Sequence, residues 1–188
     1  RAIELSMMQK AAVSYYPSYI EEQAIHKINP EIPVKSITAY VYDKFLDKIE
    51  EDFEKREGLV FVGGFAHPPN ADAVLWFARE IFPLIRAQIP DMKFYVVGSK
   101  VTDEIKGLEQ PGNGIIIKGF VSDEELEDIY QKCRIVVVPL RYGAGVKGKV
   151  VEAIYNGAPI VTTSIGAEGI PDVEKTLEIA DGAEEFAD

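Results

Sequence analysis

The chain has 188 residues, 47% hydrophobic and 27% charged, a composition that fits a globular protein and excludes collagen-like, disordered and coiled-coil classes. Lys and Arg total 20 against 31 Asp and Glu, a net charge of −11, so no surface is built to wrap a long polyanion and no nucleic-acid partner is expected. The single cysteine, Cys133, and two distant histidines, His26 and His67, exclude a disulfide framework and a Cys- or His-based metal cluster, and fit a reducing, cytoplasmic location.

The opening residues Arg1-Ala2-Ile3-Glu4 carry neither an initiating Met nor the apolar core of a signal peptide, which suggests a piece of a longer protein. Residues 11–16 and 34–42 read as strands around a helix at 19–27. Residues 44–56 form a charged segment with Phe45, Leu46, Ile49 and Phe53 as its apolar positions, and read as mostly helical. The expected organisation is the tail of a preceding α/β domain over 1–43, a helical linker over 44–57 and a domain over 58–188. With little core of its own, the first part is expected either to dock on the later domain or to remain partly mobile. No apolar run approaches the roughly 20 residues of a membrane-spanning helix.

From residue 58 onward, short apolar runs alternate with amphipathic stretches. That rhythm predicts an α/β fold, a parallel sheet with helices on both faces. Strands are expected at 59–62, 93–97, 114–118, 135–139 and 159–163, with a weaker sixth at 177–180. Residues 71–87 put Val74, Leu75, Phe77, Ala78, Ile81, Phe82 and Ile85 on one helical face. Ser122 with Asp123, Glu124 and Glu125 is a capping box that starts a helix running to about Lys132. A further helix at 146–156 is closed by Gly157.

In an open parallel sheet, ligands bind beyond the carboxyl ends of the strands. After the first strand comes Gly63-Gly64-Phe65-Ala66-His67-Pro68-Pro69-Asn70. Paired glycines bring backbone N–H groups close to a ligand ahead of a helix start, a combination suited to phosphate, although a tight turn needs the same residues. It is not the Gly-x-Gly-x-x-Gly of a dinucleotide site, and Gly98-Ser99 stands where an NAD site wants an acid. After the fourth strand, Gly143, Gly145 and Gly148 expose amides at a helix start, and Lys147 and Lys149 add charge. Residues 129–151 hold five cations (Lys132, Arg134, Arg141, Lys147, Lys149) and no acid, an island that reads as a pyrophosphate cradle rather than a solvated loop. Glu152 lies close to one turn beyond Lys149. Its carboxylate can accept from ribose hydroxyls in the same crevice, or pair with Lys149 at the surface. Gly119-Phe120-Val121 can hold a base, with core packing the simpler account of Phe120. The hydroxyls of Thr162, Thr163 and Ser164 either touch ligand or satisfy backbone.

Residues 59–188 resemble the carboxyl-terminal domain of the family 4 (group 1) glycosyltransferases. The resemblance rests on Phe61-Val62-Gly63-Gly64, on Gly119-Phe120-Val121, and above all on Pro139-Leu140-Arg141-Tyr142-Gly143-Ala144-Gly145-Val146-Lys147-Gly148-Lys149-Val150-Val151-Glu152-Ala153, continued by Gly157-Ala158-Pro159 and Gly166-Ala167-Glu168-Gly169. It implies a Rossmann-like doubly wound parallel sheet, the C-terminal half of a GT-B fold, preceded by a fragment of the N-terminal domain and lacking its closing helix. It also implies binding of a nucleoside-diphosphate sugar as substrate, with no further cofactor and no metal required, and transfer with retention to a glycan or lipid-linked acceptor held by the other domain. The whole protein is then expected in the cytoplasm, peripheral at the inner face of the membrane.

The family's Glu-x7-Glu motif places its second Glu, the ribose ligand, at Glu152. Its first position is Ala144, so donor-sugar and base contacts are expected from Gly143, Ala144, Val146, Gly119 and Phe120. Many members carry a cation after the first-strand glycine. Here Gly64 stands there, and Gly63, Gly64, Gly145, Lys147, Gly148 and Lys149 are expected to hold the diphosphate. No nucleophile stands out: Asp43, Glu168 and Asp172 are isolated acids and His67 a lone loop histidine. Other readings of the same architecture are a nucleotide-sugar epimerase and a non-catalytic nucleotide-sugar-binding module.

Overall fold

The computed structural model describes residues 2–37, 40–42 and 53–188. Ala2–Lys10 forms helix α1, followed by β1 (Ser14–Tyr16), α2 (Tyr19–Ile28) and β2 (Val34–Ser36). β1 and β2 pair in parallel, and Met8, Ile25, Ile32 and Val34 form a small core beneath them. Ser18 caps α2, its hydroxyl accepting from the Ile20 N–H at 3.2 Å. The expected strand at 34–42 therefore ends at Ser36. Most of the expected linker helix, with Asp43, Phe45, Leu46 and Ile49, lies outside the described residues, and Phe53–Lys55 is a 3₁₀ turn.

The second unit is built on β3 (Leu59–Val62), β4 (Phe94–Val97), β5 (Ile115–Gly119), β6 (Ile135–Val138), β7 (Ile160–Thr162) and β8 (Glu178–Ile179). All neighbours are parallel in the order β5-β4-β3-β6-β7-β8. Each strand returns to the same end of the sheet through a helix. These are α3 (Pro68–Trp76) continuing to α4 (Phe82–Gln88), α5 (Asp103–Lys106), α6 (Asp123–Lys132), α7 (Gly148–Tyr155) and α8 (Val173–Thr176), with α9 (Ala183–Ala187) last. Strand order reverses between β3 and β6, the switch point where the sheet leaves a crevice for ligand.

Val60, Phe61, Val96, Val136 and Val138 are at most marginally accessible, because helices cover both faces and a continuous apolar run is the strand pattern such burial demands. Phe77 packs 4.5 Å from Phe94, ring centre to ring centre, and Phe186 of α9 closes on Phe77 at 5.9 Å.

The long helix expected at 71–87 begins earlier, at Pro68, and is interrupted by a π-helical turn at Phe77–Ile81. Pro83 has no N–H to return to the carbonyl four residues back, so the ladder slips by one residue there. The capping box of α6 is half made. The Ser122 hydroxyl accepts from the Glu125 N–H at 3.2 Å, while the Glu125 carboxylate instead pairs with Lys118 at 3.3 Å. Gly157, with φ +63, follows α7 as expected.

Candidate functional site

The crevice at the switch point is walled by the turn after β3 and the loop before α7. It has a volume of about 320 Å³ and is lined by Tyr40, Tyr42, Val62, Gly63, Gly64, Asn70, Gly148, Lys149 and Glu152. Five of the residues expected at the diphosphate and ribose are therefore brought together: Gly63, Gly64, Gly148, Lys149 and Glu152. The close fit explains two glycines. A Cβ on Gly98, which has φ +145, would stand 1.8 Å from the Gly63 carbonyl oxygen. One on Gly63 would stand 2.8 Å from Lys149 Nζ. The β3 turn thus lies flat between its neighbour strand and the lysine.

Lys149 sits in the first turn of α7, and its side chain runs back under Gly63. The ammonium donates to Asn70 Oδ1 and stands 4.3 Å from the centre of the Phe61 ring. Burial lowers its pKa from the usual lysine range to about 7, and repulsion from Lys147 adds to the shift. Asn70 also donates from Nδ2 to the Gly64 carbonyl at 2.8 Å, so one buried amide holds both walls of the crevice. At the start of α7 the Val150 and Val151 N–H groups both donate to the Lys147 carbonyl, which leaves those of Gly148 and Lys149 as the helix's orphan donors. The helix begins at Gly148, two residues after the expected Val146.

Glu152 is one turn further along α7. Its Oε2 accepts from the Tyr130 hydroxyl at 3.2 Å, and Lys149 is bonded to Asn70, so the alternative of a Lys149–Glu152 surface pair is not what forms. Burial and the Glu152 charge together raise the Tyr130 pKa, keeping the phenol protonated and a donor. Tyr42 stacks on Tyr155 with ring centres 3.8 Å apart, and the Tyr40 hydroxyl lies against Gly148. Tyr40 and Tyr42 thereby roof the crevice.

Lys147 behaves differently. It is the N-cap of α7, and its ammonium donates to the carbonyls of Gly143 and Gly145 and to Glu168 at 3.2 Å. The lysine braces the glycine loop from within. Glu21 of α2 approaches the same cluster: its carboxyl pKa is raised by burial first and then by Glu168, while Lys147 opposes the rise. Gly169 packs on Ser18, a contact between the first segment and the second unit. The island of five cations is thus divided by the fold. Lys132 pairs with Asp128 at 2.6 Å and Arg134 lies over Phe53, both before β6. At the crevice end, Arg141 and Lys147 pair with carboxylates, and among the described residues Lys149 does not.

Phe120 is 80% exposed just after β5, which overturns the core-packing account of it. Gly119 beside it has φ +70 and accepts from the Gly98 N–H. Ala144 is exposed, while Gly143 lies against Pro69 and Val146 against Gly169. The Thr162 and Thr163 hydroxyls donate to the carbonyls of Val138 and Leu140, so they satisfy backbone. His67 is an exposed N-cap that makes no side-chain bond, and Asp172 pairs with Lys175. Sequence reasoning passed over Asn70, Tyr40, Tyr42 and Tyr130. For Asn70, the available signal was an amide in the first turn of a helix that opens after a glycine pair. Among the described residues, no group of His, Cys, Asp or Glu is arranged to hold a metal, and no helix is long and apolar enough to cross a membrane.

Residues 56–188 match the protein-family model described as glycosyl transferases group 1. The chain is 34% identical over 116 residues to an uncharacterized 44.6 kDa protein in the cps region of Klebsiella pneumoniae, a match covering 59% of this chain and 30% of that one. Among solved structures, it superposes on a point mutant of S. aureus TarM in complex with fondaparinux, alpha-GlcNAc-glycerol and UDP. That match has a TM-score of 0.73 at 15% identity and covers 97% of this chain and 40% of the other. Anabaena HepE in complex with UDP and glucose matches with a TM-score of 0.64 at 17% identity, covering 99% and 54%. At such identities the likeness is one of fold. The chain spans about a third to a half of the length of these relatives, and the six-stranded sheet corresponds to one Rossmann-like half of their fold.

Proposed function

The chain belongs to the group 1 glycosyl transferases, and from that premise we propose that it is the donor-binding part of a retaining glycosyltransferase, one that moves a sugar from a nucleoside-diphosphate sugar to a glycan or glycoconjugate acceptor. The observation that carries the proposal is the buried Lys149 amine at the mouth of α7, facing Gly63 and one turn from Glu152. A diphosphate laid across Gly63-Gly64 and Gly148 meets backbone N–H groups, the positive end of α7 and an amine that gains a proton in the presence of the anion. Glu152 then accepts from the ribose hydroxyls at the position where it now accepts from Tyr130. Phe120 and Gly119 border the base, and the loop from Gly143 to Val146, braced by Lys147, faces the sugar.

Transfer with retention asks the protein to stabilise the diphosphate as it leaves and the cationic sugar that remains. Preorganised N–H groups and a protonated Lys149 supply the first of these. The acceptor belongs to the part of the enzyme outside this chain, in keeping with a chain that covers 40% and 54% of two structural relatives. The relative in a cps region supports capsule-type polysaccharide as the product class. One observation favours a second reading, a binding module without transfer: Ala144 is exposed where the resembled motif has an acid.

A thermal-shift screen with UDP, GDP and ADP tests the proposal. A bound nucleotide stabilises by about 2.7 kcal/mol at a hundredfold excess over its dissociation constant. No shift with any of the three, and none with their sugar conjugates, contradicts it. Sugar transfer by this chain alone contradicts the division of labour.

A further inference from the structure

The two walls of the crevice come from strands that part company. β3 pairs with β4 along its full length, to Val62↔Val97, but pairs with β6 only through Leu59↔Ile135 and Val60↔Val136. Beyond Val60 the backbone ladder no longer fixes how far the β6 side stands from the β3 side. Side chains must set that distance, and one pair is built for it. Arg141 follows β6, two residues before Gly143; Asp72 is in the second turn of α3, the helix that opens after the Gly63-Gly64 turn.

The guanidinium donates to Asp72 through both nitrogens of one edge, Nε to Oδ2 at 2.9 Å and Nη2 to Oδ1 at 2.5 Å. Its Cζ lies over Trp76, 5.4 Å from the ring centre, and the indole is itself fixed, donating to Glu80 at 3.2 Å and meeting Phe186 edge-on. A two-point fork set over an aromatic ring defines an angle as well as a distance, which a single-point lysine bridge does not. Neither residue lines the crevice.

We propose that Arg141 and Asp72 are positioning residues that set the width of the donor crevice, and that through the 143–149 loop they hold Lys149 within reach of the diphosphate. This inference rests on the donor-binding function proposed above. Asn70 spans the same gap from inside, but it does so through Lys149 itself, so it cannot hold position while that amine turns to a ligand. The Arg141–Asp72 pair stays closed throughout. Because the pair is partly exposed, it contributes little to global stability, and its loss shows in affinity before it shows in melting.

The experiment uses UDP as the probe with Asp72→Asn, Arg141→Lys and the exchanged pair Asp72→Arg with Arg141→Asp. UDP affinity is read by calorimetry, amide exchange is read over residues 143–149, and emission is read from Trp76, the one tryptophan in the sequence. The single variants are expected to bind UDP about tenfold more weakly, with faster exchange in that loop, altered Trp76 emission and a near-constant melting temperature. The exchanged pair recovers most of the affinity. Unchanged UDP affinity in both single variants overturns the inference and leaves donor binding standing. If the unaltered protein binds none of UDP, GDP and ADP, the donor-binding proposal fails and loop exchange alone decides. Faster exchange in Asp72→Asn then supports the clamp, and unchanged exchange overturns it.

Discussion

Two cavities of this molecule differ in size and in charge, and the larger is not the one at the switch point. A space of about 560 Å³ lies between α6 and the sheet, lined by Lys55, Arg56, Glu57, Tyr95, Lys118, Asp128, Ile129, Gln131, Lys132 and Cys133, against about 320 Å³ for the crevice. The larger one has several cations, but Lys118 and Lys132 each face a carboxylate at the surface, and burial pushes the Cys133 thiol up to about 12, where it is inert. In the crevice, the single amine is buried against a ring, an amide and a glycine backbone, and no described carboxylate pairs with it. A buried, uncompensated charge is costly to keep unless a ligand offsets the cost. The contrast is the ground on which the proposal places the donor in the smaller cavity, by charge environment rather than by volume.

The sharpest way to break that contrast is to remove the amine. Lys149→Ala is expected to weaken UDP binding roughly a hundredfold, whereas Lys132→Ala in the larger cavity leaves it unchanged; equal effects in one titration series would place the nucleotide elsewhere. Glu152→Gln comes next, with a loss of about tenfold as a charged acceptor for two hydroxyls becomes a neutral one. That loss should vanish when UDP is replaced by its 2′,3′-dideoxy analogue, and a persisting loss would remove the ribose role. Phe120→Ala has the smallest effect. Exposed as it is, the ring leaves stability within about 0.5 kcal/mol of its original value, and UDP affinity falls only a few-fold. Stability loss beyond that in a denaturant titration would mean that the ring is packed after all.

The sheet was legible because its strands are apolar runs that both faces bury, as at 59–62 and 135–138, and because Gly157 and Ser122 punctuate helices locally. The short helices α5 and α9 were missed, since four or five residues carry no periodicity worth reading. In α1 the apolar Ile3, Leu5, Met7 and Met8 do not form one stripe, and Met8 is its one buried residue. In the site, Lys149 and Glu152 were legible together because three residues along a helix share a face. Their partners were not: Lys149 meets Asn70 79 residues away, and Arg141 meets Asp72 69 away. Both Lys147 and Lys149 were expected at the diphosphate, with Lys149 favoured because it shares a helical face with Glu152. Only folding brings Glu168 to one of them and Phe61 to the other.

Proton uptake tests the central claim most directly. In the empty protein the Lys149 amine is half-protonated near pH 7, and a bound diphosphate raises its pKa. The protonated form therefore binds more tightly, so UDP affinity falls as pH rises above 7, approaching about tenfold per unit. Calorimetry of UDP binding at pH 8 in buffers of different ionisation enthalpy, where the phosphate is fully ionised, counts the protons directly. Uptake of about one proton at pH 8 is the predicted result. Binding with no uptake, and with affinity level from pH 7 to 9, would contradict the placement of the diphosphate on Lys149.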